Sequence, residues 1–265
     1  MKNILVPIGS HENAINTLQY AIDFAEQVDA TIYLVHVFSS SKVTGSFVKI
    51  DKVLKNESKE ILKEHLLQVN IKNVTIHPKS LKGHTVIDSL KELTRLLEID
   101  LIITSTKNDL MDDSVFLGKI TGSLIKDTET PVLIIPAKAK FRPISKILMT
   151  IKSGSIKKVK TLDLLIMIKK KFNSSISLLQ VKTPKLDAKD LELNELLKSI
   201  TTKFISTRNA TVYQGVLEFL HEENPDMLCV IRRKRGFFKK LWQDDRVKKV
   251  DFESIIPLLV LKGKS

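Results

Sequence analysis

One succession of apolar segments is written twice in this chain. Lys2–Ile8 (KNILVPI) is followed by Thr31–Phe38 (TIYLVHVF), then by Asp100-Leu101-Ile102-Ile103, then by Thr130-Pro131-Val132-Leu133-Ile134-Ile135. The series restarts with Lys146–Ile151 (KILMTI), Ser175–Val181 (SISLLQV), Asp226–Ile231 (DMLCVI) and Ile256-Pro257-Leu258-Leu259-Val260-Leu261. The repeat is about 140 residues long, the size of a domain and far longer than a solenoid repeat, so the chain reads as a tandem duplication. Each half must therefore close a core of its own.

Between these segments the apolar period changes from strand-like to helical. Ala14, Leu18, Ala21, Ile22, Ala25 and Val28 form one stripe, and Val86, Ile87, Leu90, Leu93 and Leu97 form another. Residues 49–69 give a longer helix with Val53, Ile61, Leu62 and Leu66 on one side. Strand and helix alternate with short joins, which demands parallel strands and right-handed crossovers. The prediction is two flavodoxin-like (Rossmann-like) α/β sandwich domains, each with a five-stranded parallel sheet. The first spans 1–138 and the second 144–265, joined by the basic linker AKAKFRP. In the second half the expected elements are a helix over 159–172, a helix over 187–204, a strand over 210–214 and a helix over 216–223. Gly215 is read there as the counterpart of Gly83.

Composition narrows the function. Of 265 residues 43% are hydrophobic, yet no apolar run approaches the ~20 residues that span a bilayer. The opening MKNILVPIGSHENA lacks the pattern of a secretory leader, and Cys229 is the single cysteine. These features read as a cytoplasmic protein without a membrane span. The formal charge of +13 is lopsided: residues 1–140 carry 17 basic and 17 acidic side chains, residues 141–265 carry 26 and 13. The run Arg232-Arg233-Lys234-Arg235-Gly236-Phe237-Phe238-Lys239-Lys240-Leu241-Trp242 interleaves cations with rings. It could bind an anion or nucleic acid through residues 232–242, or pack its rings inward, into a vacated cleft of the second half. No histidine pair has metal-site spacing, and no paired carboxylates or activated nucleophile stand out, so no enzyme activity is expected. His36, alternating with apolar neighbours, reads as a hydrogen-bonded core residue, and Cys229 as a small buried hydrophobe.

The stretch Leu101–Pro136 decides the ligand question, because α/β sheets bind ligands where a loop leaves a strand and enters a helix. Its residues, with KNILVPI, TIYLVHV, Gly83, Asp100-Leu101-Ile102-Ile103 and Leu117-Gly118, resemble the universal stress protein family over nearly the whole first half. The second half resembles the same domain more faintly. The resemblance implies a domain that dimerises through its last strand, hence an intrachain pseudo-dimer here, with a homodimer and further protein partners open. Some family members bind ATP through Gly, two residues, Gly, nine residues, then Gly with Ser or Thr. Those positions fall on Ser105, Asn108, Gly118 and Lys119, so only Gly118 is kept. Pro7, Ile8 and Val37 match family positions that line the nucleoside. The aspartate that faces adenosine is replaced by Gly9, and Asp109, Asp112 and Asp113 would each repel a phosphate by roughly 1 kcal/mol in water. In the second half the signature positions are Arg232, Arg235, Asp245 and Arg246, with Lys152 at the aspartate position. The expectation is a stress-response protein that acts through interactions and carries no cofactor. ATP in the first domain, at Pro7, Ile8, Val37 and Gly118, is the alternative.

Overall fold

The computed structural model describes residues 1–9, 13–39, 47–106, 118–156, 158–183, 191–210, 212–232 and 256–263. The chain divides into two compact units, Met1–Phe141 and Arg142–Ser265. Among the described residues no helix is long and apolar enough to cross a membrane.

In the first unit strands and helices alternate: β1 (Asn3–Pro7), α1 (Ala14–Val28), β2 (Thr31–Phe38), α2 (Phe47–Leu67), β3 (Ile76–Lys82), α3 (Val86–Leu96), β4 (Leu101–Ser105), α4 (Lys119–Asp127) and β5 (Val132–Ile135). The sheet order is β3-β2-β1-β4-β5, and every pair is parallel. From β1 the chain steps outward twice, then returns and steps the other way. Right-handed crossovers then put α1 and α2 on one face and α3 and α4 on the other, in accord with the packing of α3 on α4. With both faces covered, the central strands are apolar almost throughout: Ile4, Leu5, Val6, Leu101, Ile102, Ile103, Val132 and Leu133 are fully buried. Pro78 lies inside β3, opposite Leu34, and is tolerated because β3 has a neighbour on only one side within this unit.

The second unit repeats the plan: β6 (Lys146–Ile151), a 3-10 turn (Val159–Leu162), α5 (Asp163–Phe172), β7 (Ser175–Lys182), α6 (Glu195–Ile200), β8 (Lys203–Arg208), α7 (Val212–Glu223), β9 (Met227–Arg232) and β10 (Leu258–Lys262). Its order, β8-β7-β6-β9-β10, is the first unit's order over again, also parallel. The fold class expected from the sequence is the one observed.

The duplication extends to single hydrogen bonds. Asp100 Oδ2 accepts the N–H groups of Lys2 (2.6 Å) and Asn3 (3.0 Å), and Asp226 Oδ2 accepts those of Ser145 and Lys146 (2.9 Å each). One carboxylate thus ties the start of β4 to β1, and the other ties β9 to β6. Arg142 Nε adds a contact to Asp226 Oδ1 at 2.9 Å. Helices α1 and α5 end alike, on Asp29 and Asn173, both left-handed at φ 52°, a conformation that short polar side chains tolerate. In the first unit the chain beyond β5 lies on α1: Asn16 Nδ2 donates to Ala139 O (2.9 Å), and Phe141 stands edge-on to Tyr20 and Phe24.

Two expectations fail in the second unit. The helix expected over 187–204 is only the six-residue α6, and the strand expected over 210–214 lies earlier, as β8. The leucines Leu193, Leu196 and Leu197 with Ile200 and Phe204 mimic one helical stripe, but Phe204 and Ile205 belong to the alternation of KFISTR. Gly215 therefore lies inside α7 and does not match Gly83. Gly83 donates its N–H to Phe38 O at the end of β2, and the residue doing so at β7 is Asn209, bonded to Lys182 O. Gly215 has a packing role instead: a Cβ there would lie 2.7 Å from Val181 Cγ2, so α7 approaches β7 closely.

Candidate functional site

In an open sheet of this order the chain changes direction between β1 and β4, and the crevice beyond their carboxyl ends is where a ligand fits. Pro7 ends β1, and the next residue, Ile8, is buried and continues the ladder by donating its N–H to Val35 O at 2.8 Å. Val37 lies two residues further along β2 than Val35 and is half-buried. Gly118 caps α4 with an extended backbone (φ −61°, ψ 161°) and offers no side-chain acceptor to the helix. The first N–H groups of α4 consequently have no intrahelical partner, and they carry the positive end of the helix dipole. Pro7, Ile8, Val37 and Gly118 are thus drawn from β1, β2 and the start of α4, toward one edge of the sheet. Asn108, Asp109, Asp112 and Asp113 lie outside the described residues.

Thr121 and Thr104 were not singled out by the sequence. Thr121 Oγ1 donates to Ser105 O (2.9 Å) and lies 3.2 Å from Thr104 Oγ1; both threonines are buried. This pair fastens the first turn of α4 to the end of β4. The signal was present as a threonine three residues after Gly118, a position that faces back toward the strand. Two further polar atoms at the start of α1, Asn13 Nδ2 and Thr17 Oγ1, are buried without a hydrogen-bond partner among the described residues.

The corresponding edge of the second unit is built differently. Beyond β6 the chain runs through Lys152 and Ser153 to Gly154, and the segment entering α6 lies directly on it. Asn194 N–H donates to Gly154 O (3.0 Å), and Asn194 Nδ2 donates to Ile156 O (2.9 Å). A Cβ on Gly154 would sit 2.1 Å from Glu192 O. Gln180, buried at the end of β7, donates to Leu191 O at 3.2 Å. Backbone from the same unit therefore covers the carboxyl end of β6. Arg232 ends β9; the remainder of the basic, aromatic run, Phe237, Phe238 and Trp242 included, lies outside the described residues, as do Arg235, Asp245 and Arg246.

His36 and Cys229 are structural in setting. His36 Nδ1 is 2.8 Å from Ser58 Oγ, which also accepts from Ser80 Oγ at 2.7 Å. Burial, and then the nearby charge of His65, hold the His36 imidazole below the usual histidine range. Cys229 is fully buried, and that burial pushes its thiol well up, away from nucleophilic reactivity. Among the described residues no group of three or more His, Cys, Asp or Glu could hold a metal ion.

A family model described as the universal stress protein family matches residues 1–136. The universal stress protein MJ0531 of Methanocaldococcus jannaschii is 26% identical over 144 residues, covering 52% of this chain and 84% of the relative. A universal stress protein from Archaeoglobus fulgidus superposes with a TM-score of 0.73 at 16% identity, covering 98% of each chain. PA1789 of Pseudomonas aeruginosa PAO1, a protein of unknown function, gives a TM-score of 0.58 at 13% identity, covering 99% of this chain and 92% of its own. At those identities the two structures speak for the fold alone.

Proposed function

This chain belongs to the universal stress protein family, and from that premise we propose that it is a non-enzymatic stress-response protein of the cytoplasm. In this reading it works by binding other molecules, and neither unit operates as a nucleotide site. The observation that carries the reading is the contact between Gly154 and the backbone of Glu192 and Asn194, which occupies the carboxyl end of β6 where a nucleoside would lie. In the first unit the support is chemical. Glycine is kept only at Gly118, and Gly9 supplies no carboxylate for a ribose. Loss of glycines matters because a Cβ stands off the phosphate oxygens that backbone N–H groups must reach.

The second reading, an adenine nucleotide held in the first unit, draws on one specific feature: the first turn of α4, which Gly118 leaves without a side-chain cap of its own. Turnover separates an enzyme from a binder. Phosphate release from millimolar Mg-ATP is expected to match a protein-free control over hours. Release that scales with protein concentration and is lost in Gly118→Asp would overturn the non-enzymatic reading.

A further inference from the structure

The outer strands β3 and β8 are covered differently in the two units. In the first, α2 is 21 residues long and packs on both β2 and β3. Its Ser58 is buried and accepts from Ser80 Oγ of β3 at 2.7 Å. Its Asp51 pairs with Lys82 at the end of β3. In the second unit the helix between β7 and β8 is α6, six residues long, and it makes no comparable packing on β8.

The duplication lets the two surfaces be matched residue by residue. Thr31 N–H donates to Lys2 O and Ser175 N–H donates to Ser145 O, each at 2.8 Å, so Thr31 and Ser175 hold the same place in their strands. The registers of β2 with β3 and of β7 with β8 then make Phe204, Ser206 and Arg208 the counterparts of Pro78, Ser80 and Lys82. Alternate residues share one face of a strand. The other face of β8 is covered by α7, where Thr207 lies beside Gly215 and Lys203 pairs with Glu223. On the α6 side Phe204, Ser206 and Arg208 are all exposed, Phe204 by 48%. Among the described residues neither the Ser206 hydroxyl nor the Arg208 guanidinium has a side-chain partner, whereas their counterparts have Ser58 and Asp51. The second unit thus keeps the strand that α2 covers in the first, with a bare aromatic ring and an unpaired cation on it.

We propose that this face of β8 docks an amphipathic helix of another protein, laid as α2 lies on β3. The first unit supplies the chemistry of the occupant. A carboxylate in the place of Asp51 meets Arg208, a small polar residue in the place of Ser58 meets Ser206, and an apolar residue one turn later, where α2 has the buried Leu62, covers Phe204. One helical turn rises ~5.4 Å and two strand residues ~6.6 Å, so the last two contacts stay in step. Residues 141–265 carry 26 basic and 13 acidic side chains, so a helix with an acidic outer surface is the favoured partner. Two copies of this chain meeting through β8 would instead bring two unpaired Arg208 side chains to one interface. The inference does not depend on whether the first unit holds a nucleotide.

The probe is a labelled peptide of residues 47–67 carrying Lys52→Glu, Lys59→Glu and Lys63→Glu. These lysines are exposed on α2, so the changes make the outer surface acidic and keep Asp51, Ser58 and Leu62. Fluorescence anisotropy of the peptide, titrated with the full chain, should show saturable binding. Phe204→Ser should weaken it about tenfold or more, because the ring is the buried anchor of the contact. Arg208→Glu should weaken it about tenfold. Asp51→Lys in the peptide should weaken binding to the wild-type chain and restore binding to Arg208→Glu, since only a direct pair gives that reciprocity. Both replaced side chains of β8 are exposed, and unchanged thermal unfolding would establish that the variants fold. The proposal is overturned if no binding is seen at ~1 mM peptide, or if both chain variants bind as wild type, which would put the peptide elsewhere. Sedimentation of the chain alone gives the last arm: a wild-type dimer that Phe204→Ser dissociates would make a second copy the occupant and overturn the proposal.

Discussion

Asp100 and Asp226 do the same work at two places 126 positions apart in the chain: one carboxylate oxygen holds two successive backbone N–H groups at the start of the neighbouring strand. Charge-assisted bonds of this kind are stronger than neutral ones. Replacement of either by alanine should cost about 1–3 kcal/mol in urea-induced unfolding, with Asp226→Ala the worse because it also strands Arg142. Equal wild-type midpoints for both variants would contradict that account. His36 gives a pH-dependent prediction. Its folded-state pKa is lowered by burial, so the folded state binds fewer protons than the unfolded chain near the ordinary histidine range. The corresponding stability is present above an unfolded pKa of ~6.5 and is lost as pH falls through the folded value. Unfolding free energy should decline between pH 7 and 5, and His36→Gln should flatten that decline; an unchanged slope would remove His36 from the explanation. Both aspartates were legible in the sequence, since each precedes a strand in the repeat. The Thr104–Thr121 pair was not, because a threonine in a short helix has no pattern that announces its partner.

At the scale of elements, packing overrode local pattern. Buried strands such as TIYLVHVF and KILMTI were legible from end to end, because β-branched and apolar residues leave no competing period. The stretch from Leu193 to Phe204 was misread because its apolar spacing fits a helix, while the edge strand it partly forms has little buried surface to mark it. Nor could local sequence show that Gly154 meets Glu192, 38 residues later, since that contact exists only in the fold. Two glycines make a contrast that tests this picture. Gly122, in α4, has nothing within 4 Å of a Cβ among the described residues, so Gly122→Ala should stabilise the first unit by about 0.5–1 kcal/mol through helix propensity. Gly154→Ala would press a methyl group on backbone and should destabilise by roughly 1–3 kcal/mol. Thermal unfolding of the two variants should move in opposite directions; a neutral Gly154→Ala would mean that the covering segment yields freely.

On the scale of the whole molecule, one domain plan has been kept twice and its ligand edge has diverged. The first unit keeps Pro7, Ile8, Val37 and Gly118 at the β1 and β2 ends and the α4 start, and the second unit has covered β6 with its own chain. The duplication and the charge imbalance were both readable from the residues. The account's central claim, that this family member works without a nucleotide, is tested most directly by thermal unfolding with millimolar Mg-ATP. A ligand at 100 times its Kd would add ~2.7 kcal/mol, several degrees for domains of this size. The account predicts no shift. A rise of several degrees that disappears in Gly118→Asp would contradict it and make the first unit a working nucleotide site.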